Sequence, residues 1–268
     1  MRTLTLRRYA LLIAIACPLT ALAGPGADDR LTLSANGSTI SHADDGGGAA
    51  IGWLHNFNSN AIVGAAAEYQ SLADSHWSFG SLSMSFGSGS AEHKTTFYAD
   101  GHLGSGVEGS KSFDYATWVA GVYQNLTHQL ILQLEDKQID IDTTHGNLPK
   151  LGLQYLISPR LLGTVSYAHS VSGNLGTRLG FARFDYYGKN YSIIFGGAGG
   201  KASPDVVDIR GLVAPGLTLR EGFAGVGRSF GRTDLTLLGD YIKLGSSTER
   251  FTLTLNATVH LRGTGGAR

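Results

Sequence analysis

Seven charged side chains are the residues best placed to do chemistry, because each is read as lying on the polar side of a residue-by-residue alternation. Glu68, Glu135, Lys150, Asp240 and Arg262 stand opposite the apolar positions of their segments, and Arg220 and Arg228 are read as joining them. Charges gathered on one face of extended chain must pair or meet water, since a lone buried ion is costly. The reading preferred here is a polar network that fills and stiffens a narrow interior. The alternative is a polar track along which a hydrophilic solute or polymer moves.

Other chemistries find less support. Nine histidines and many serines invite a hydrolase, which needs a Ser nucleophile within hydrogen-bond reach of a His base. His169 and Ser170 are adjacent, so on a strand they point to opposite faces, and Ser166 fails against His169 for the same parity reason. Asp140-Ile141-Asp142 with His145 could place two carboxylates on one Ca²⁺, but the glycine and glutamate of a calcium loop are missing. A solvated outer loop is the expectation for that stretch. Gly196-Gly197-Ala198-Gly199-Gly200 lacks the Lys-Ser/Thr ending of a phosphate loop. No catalytic residue, metal or cofactor is assigned, and the chain is expected not to be an enzyme.

The elements that must position these residues are strands. Phe251, Leu253, Leu255, Ala257, Val259 and Leu261 alternate with Thr252, Thr254, Asn256, Thr258, His260 and Arg262. A period of two is the pattern of a strand with one apolar and one wet face. The same switch runs through Val63–Gln70, Gln129–Glu135 and Lys150–Ile157. Runs of about ten residues match a tilted strand crossing a bilayer. In Leu217–Phe230 the apolar residues change phase near Glu221-Gly222-Phe223, which predicts a bulge or glycine kink there. Phe181–Tyr187 mixes aromatics and charges on both faces.

Composition and the N-terminus say where such strands would lie. Arg2, Arg7 and Arg8 precede a short apolar run, Leu11–Cys17, and Ala21-Leu22-Ala23 offers a small-residue cleavage site. Residues 1–23 are therefore expected to be a cleaved signal peptide, with residues 24–268 as one mature domain. Cleavage removes Cys17, the sole cysteine, so thiol chemistry and disulfides are excluded. Charged residues make up 16% of the chain, below the ~25% of a soluble domain. Glycine, at 38 of 268, is about twice its usual share. The balance of charge gives no argument for nucleic acid. The fold expected is an all-β, antiparallel, up-and-down transmembrane β-barrel rather than a soluble β-sandwich.

Connections set the strand count. Short turns are expected at Asn56–Ser59, Asn125–His128, Ser158–Arg160, Gly188–Asn190 and Gly231–Asp234, with a looser one near Ser88–Glu92. Longer outer connections are expected at Asp100–Lys111, Ile139–Asn147, Ser170–Gly176 and Gly196–Gly216. This alternation predicts about 14 strands with both termini in the periplasm; the count becomes 12 or 16 if Val206–Val213 is assigned differently. Aromatics at predicted strand ends, among them Trp53, Trp77, Tyr98, Tyr115, Tyr123 and Tyr241, are expected to form an interface girdle. The alternative is an aromatic sugar slide within the lumen.

Several segments resemble the YaiO-type outer-membrane barrels: Ser158–Ser170 (SPRLLGTVSYAHS), Arg183–Tyr187 (RFDYY), Glu221–Phe230 (EGFAGVGRSF), Asp234–Tyr241 (DLTLLGDY) and Arg250–Leu255 (RFTLTL). The resemblance runs from Pro149 to Arg262, a little under half the chain, and carries over no catalytic residue. It implies an outer-membrane barrel similar in kind to the barrel parts of exopolysaccharide exporters. The function expected is a non-enzymatic channel or accessory factor for a hydrophilic solute or surface exopolysaccharide, in the outer membrane of a Gram-negative bacterium after Sec export through the periplasm. Expected partners are outer-membrane lipids and lipopolysaccharide, the barrel-assembly machinery and a polysaccharide export system. The competing readings are a lipid-modifying outer-membrane hydrolase and a structural or adhesin barrel acting through its outer loops.

Overall fold

A computed structural model of the protein describes residues 28–41, 45–58, 60–72, 75–90, 93–202, 217–246 and 248–261. The strands are β1 (Asp28–Ile40), β2 (Gly46–Asn58), β3 (Ala61–Leu72), β4 (Ser75–Ser88), β5 (Thr95–Glu108), β6 (Lys111–Asn125) and β7 (Leu130–Ile141). They continue as β8 (Thr144–Ser158), β9 (Leu161–His169), β10 (Arg178–Tyr187), β11 (Tyr191–Ala202), β12 (Leu217–Phe230), β13 (Thr233–Leu244) and β14 (Thr248–Leu261). Each pairs antiparallel with its neighbours in sequence, and β1 pairs with β14, so the sheet closes into a 14-stranded barrel. Closure removes every edge, the condition under which a sheet can sit in hydrocarbon with its backbone groups satisfied. With an even strand count, β1 begins and β14 ends at the same rim, here called the near end.

The period of two sorts the side chains in the first half of β14: Arg250, Thr252 and Thr254 are buried, whereas Phe251, Leu253 and Leu255 are exposed. The buried set faces the lumen and the exposed set faces out. Leu33, Ile51, Leu82, Leu103, Leu151 and Val165 continue the outward belt around the barrel. An apolar face this large would be a liability in water and is the natural face in lipid.

All the short turns expected from the sequence fall at the near end, where bulges at Asn56/Asn58 and Leu156/Ser158 adjust the register. Two far-end connections are much shorter than expected. Asp100–Glu108 is strand, joined to β6 by Gly109-Ser110 alone, and Ile139–Ile141 and Thr144–Asn147 are strand joined by Asp142-Thr143. Asp140 thus stands in β7, not in a loop, and Asp142 takes the turn with φ 53°. Gly196–Ala202 likewise belongs to β11, while residues 203–216, including Val206–Val213, lie outside the described residues. Ser170–Gly176 does form a loop. The expected bulge at Glu221-Gly222-Phe223 is absent: β12 pairs in continuous register with both neighbours.

Glycines made Asp100–Glu108 look like a loop, yet they are required by packing. A Cβ at Gly104 would collide with the Ser78 carbonyl oxygen and Phe79, and one at Gly106 with Phe113 and Trp77. The missing side chains let the β4 backbone approach at Gly104 and make room for the Phe113 ring at Gly106. Gly104→Ala is therefore expected to destabilise the barrel by about 1–3 kcal/mol, read as a lower denaturant midpoint of the refolded protein.

Candidate functional site

The interior changes character along its axis. At the far end, inward side chains form one apolar cluster: Leu72 from β3, Trp77 from β4, Ile139 and Ile141 from β7, Leu219 from β12, and Ile242 and Leu244 from β13. Leu175 joins it from the β9–β10 loop and is fully buried. Strands on different sides of the barrel contribute, and Leu72, Leu219, Ile242 and Leu244 have no exposed surface, so the interior is packed at this height. One inward step nearer the termini, β3, β7, β8, β12 and β13 turn polar, whereas β4 continues apolar from Trp77 to Phe79. Gln70 follows Leu72, Lys137 follows Ile139, Lys150 follows Leu148, Glu221 follows Leu219, and Asp240 follows Ile242. The boundary is staggered from strand to strand, since Lys137 pairs with Leu148 and Glu221 with Ile242.

Ion pairs occupy the polar zone. Lys150 Nζ lies 2.7 Å from Glu135, across the β7–β8 pairing that puts the two residues opposite each other. Tyr98 donates to Glu135 at 2.5 Å, and Gln133 donates to Tyr98, Tyr123 and Glu135 at 3.0–3.1 Å. Tyr98 and Tyr123 stack at 4.9 Å, with Gly121 leaving room for the Tyr98 ring. Arg250, which has essentially no exposed surface, lies 3.8 Å from Asp240, with Glu221 beside the same carboxylate. Arg183 grips Asp185 with Nε at 2.8 and 3.0 Å from the two carboxylate oxygens. Asp100 and His102, two apart on β5, meet at 2.6 Å. Nearer the termini come Thr32 with Thr258 at 3.1 Å, Ser34 with Asn256, and Asp234 with His260 at 2.7 Å.

Four of the seven residues singled out from the sequence face this interior: Glu68, Glu135, Lys150 and Asp240. Arg220 and Arg228 do not. Both are exposed on the outer face, while Leu219, Phe223, Gly225 and Gly227 are buried. The reason is the missing bulge: without a slip in phase, even-numbered positions of β12 point outward throughout. Arg228 instead lies 5.2 Å over the ring of Phe230. Arg262 lies outside the described residues. Sequence reasoning missed Arg183, Asp185, Arg250 and His102. Arg250 was legible from the β14 alternation, which extends one step beyond Phe251; Arg183 and Asp185 sit in the segment that had no readable phase.

The aromatics divide. Trp53, Tyr155, Tyr191 and Tyr241 are exposed on the outer face, in keeping with a girdle. Trp77, Tyr98, Tyr115 and Tyr123 point inward, contrary to the girdle expectation, because their parity on β4, β5 and β6 matches the lumen residues. Inside, rings pack on rings: Phe79 on Tyr115 at 5.1 Å and Phe181 on Phe223 at 5.8 Å. The imidazoles of His55, His102 and His260 are each engaged by an aspartate, Asp29, Asp100 and Asp234 respectively.

No protein-family model matches the chain, and no curated protein matches it in sequence. Solved structures do match in fold. CymD, a monoaromatic hydrocarbon channel, superposes with a TM-score of 0.61 at 10% identity, covering 91% of each chain. A Pseudomonas aeruginosa FadL homologue gives 0.57 at 9% identity over 90% of this chain and 91% of its own. Outer membrane protein Omp33 of Acinetobacter baumannii gives 0.53 at 9% identity over 87% and 99%. The fold is that of Gram-negative outer-membrane β-barrels.

Proposed function

We propose that the protein is a non-enzymatic outer-membrane channel, with the near end in the periplasm and the far end outside. Its resting lumen is shut at the far end by apolar side chains. The observation that carries this reading is the two-zone interior: an apolar cluster built from strands on different sides of the barrel above a belt of ion pairs. A hydrophilic solute would have to shed water to cross the closure, at a cost of several kcal/mol for each unsatisfied polar group. A small apolar or amphipathic molecule exchanges one set of apolar contacts for another. Such a molecule is the solute class favoured here. The similar folds described as a monoaromatic hydrocarbon channel and as the Pseudomonas putida toluene transporter TodX are compatible with it.

A second reading, a channel or accessory factor for a hydrophilic solute or exopolysaccharide, draws on the polar inner half and the YaiO-type resemblance. It is less favoured because the inward rings pack against each other rather than offering open faces to a sugar. Both readings share a leader at residues 1–23, Sec export, insertion by the barrel-assembly machinery and a surround of outer-membrane lipid. The polar network is read as stiffening the wall below the closure.

Trp77 reports on the closure directly, being buried among its apolar residues, whereas Trp53 and Trp118 lie exposed on the outer face. In the Trp53→Phe/Trp118→Phe variant, a brominated monoaromatic solute is expected to quench the remaining tryptophan saturably, and oligosaccharides are expected to leave it unchanged. Unquenched Trp77 together with an ion current blocked by oligosaccharide would replace the first reading by the second.

A further inference from the structure

The outer wall from β9 to β14 carries two cavities of opposite character, one at the rim over β9–β11 and one lower down over β10–β14. The upper one, about 630 Å³, is lined by His169, Ser170, Ser172, Arg178 and Lys201 at the far rim. His169, Arg178 and Lys201 occupy one hydrogen-bonded row, so their side chains leave the same face of adjacent strands. Neighbouring strands lie about 4.8 Å apart, a spacing at which one phosphate can accept from two of these cations. Arg220, paired with Gly199, adds a further outward cation one step below. None of the ion pairs among the described residues engages Arg178, Lys201 or Arg220.

The lower cavity, about 690 Å³, opens on the apolar belt. Phe184, Phe195, Tyr241 and Phe251 wall it, and Ala182, Gly197, Gly222, Ala224 and Gly239 form its floor. Gly180 and Gly199 form a bare strip between the two cavities, since they pair with each other between the Arg178–Lys201 and Ala182–Gly197 rows. From the cations to the floor is four residues along each strand, about 13 Å.

The glycines are the telling feature. Interior glycine weakens a strand, so it needs a reason. At Gly180, Gly199, Gly222 and Gly239 a Cβ would meet nothing closer than 3.7 Å, and none has a left-handed backbone. Neither packing nor conformation demands them. What they do is leave a trough empty.

We infer that this face is a lipid site. The trough takes an acyl chain of the phosphorylated glycolipid that forms the outer leaflet, and Arg178, Lys201 and Arg220 take its phosphate. A leaflet lipid has this layout, with an anionic head at the rim and an apolar tail within the belt, and the charge of the rim matches its head. The inference rests on the far end facing outward. Labelling of Ser110→Cys by a membrane-impermeant maleimide in intact cells tests that orientation separately.

The test uses the full barrel refolded in detergent, with bis-phosphorylated lipid A, its dephosphorylated form and phosphatidylglycerol as probes, and bound lipid read by native mass spectrometry. Bis-phosphorylated lipid A is expected to bind preferentially. Arg178→Ala/Lys201→Ala should lower its affinity about tenfold or more and leave the dephosphorylated form unaffected. Gly222→Leu fills the trough where a Cβ meets no neighbour, so the barrel should fold normally while both lipid A forms lose about tenfold. Equal binding of phosphatidylglycerol, or binding unchanged in both variants, would overturn the assignment. Trp77 quenching is expected to be the same in all variants, so this test and that of the channel can fail independently.

Discussion

Alanine at both Leu219 and Ile242 is expected to turn a closed barrel into a conducting one. Both side chains have no exposed surface and point inward from adjacent strands into the apolar cluster. Truncating a buried Leu or Ile costs about 2–5 kcal/mol, because surrounding groups collapse only partly onto the space left behind. In this cluster the space lies across the lumen, next to Glu221 and Asp240, so water drawn to those carboxylates can enter it. Planar-bilayer recording should show few openings for the parent and frequent ones for the variant, along with a lower denaturant midpoint. Leu237→Ala/Leu253→Ala, altered on the outward face, serves as the control and should stay closed. Equal conductance in parent and variant would show that the cluster is not the barrier.

Arg250 is the single side chain whose loss should hurt folding most. It is the largest fully buried residue among the described residues, with Asp240 and Glu221 beside it. Arg250→Met keeps most of the apolar volume but leaves two carboxylates facing each other in a confined space. Breaking a buried pair in this way costs about 3–5 kcal/mol, most of it from the charge left behind. The expected signature is loss of the heat-modifiable folded band at temperatures the parent survives. Adding Asp240→Asn and Glu221→Gln to Arg250→Met should restore much of the stability, since the charges that needed the guanidinium are then gone. If Arg250→Met alone behaves like the parent, Arg250 does not hold the carboxylates together.

Much of the barrel was legible because a closed antiparallel sheet repeats one rule at every residue. The alternation from Phe251 to Leu261 gave β14 and its faces, and the short near-end connections gave the count of 14. Reading failed where the local signal had two meanings. Asp100–Glu108 looked like a loop because Gly and Asp mark turns, but Gly104 is there for the close approach of the β4 backbone at Ser78-Phe79 and Gly106 for the ring of Phe113. The same ambiguity hid the even-numbered outward face of β12: Gly222 and Ala224 look polar or neutral in a pattern search, yet they floor an external trough. Arg220 and Arg228 were assigned to the lumen for want of that fact.

The apolar closure shows the limit most clearly. Ile139 and Ile141 follow the same parity as Glu135, so within β7 they read as an apolar patch on the wet face, without consequence. Their meaning depends on Leu72, Leu219, Ile242 and Leu244 arriving at the same height from distant strands. By itself the sequence determined the period of two, the strand count and which face each regular strand turns inward, because these depend on neighbours along the chain. The tertiary structure alone decided that the lumen is apolar at one end and ionic below, and that two cavities stack on one wall. Those features depend on the register between strands, which the hydrogen-bonded closure of the barrel sets.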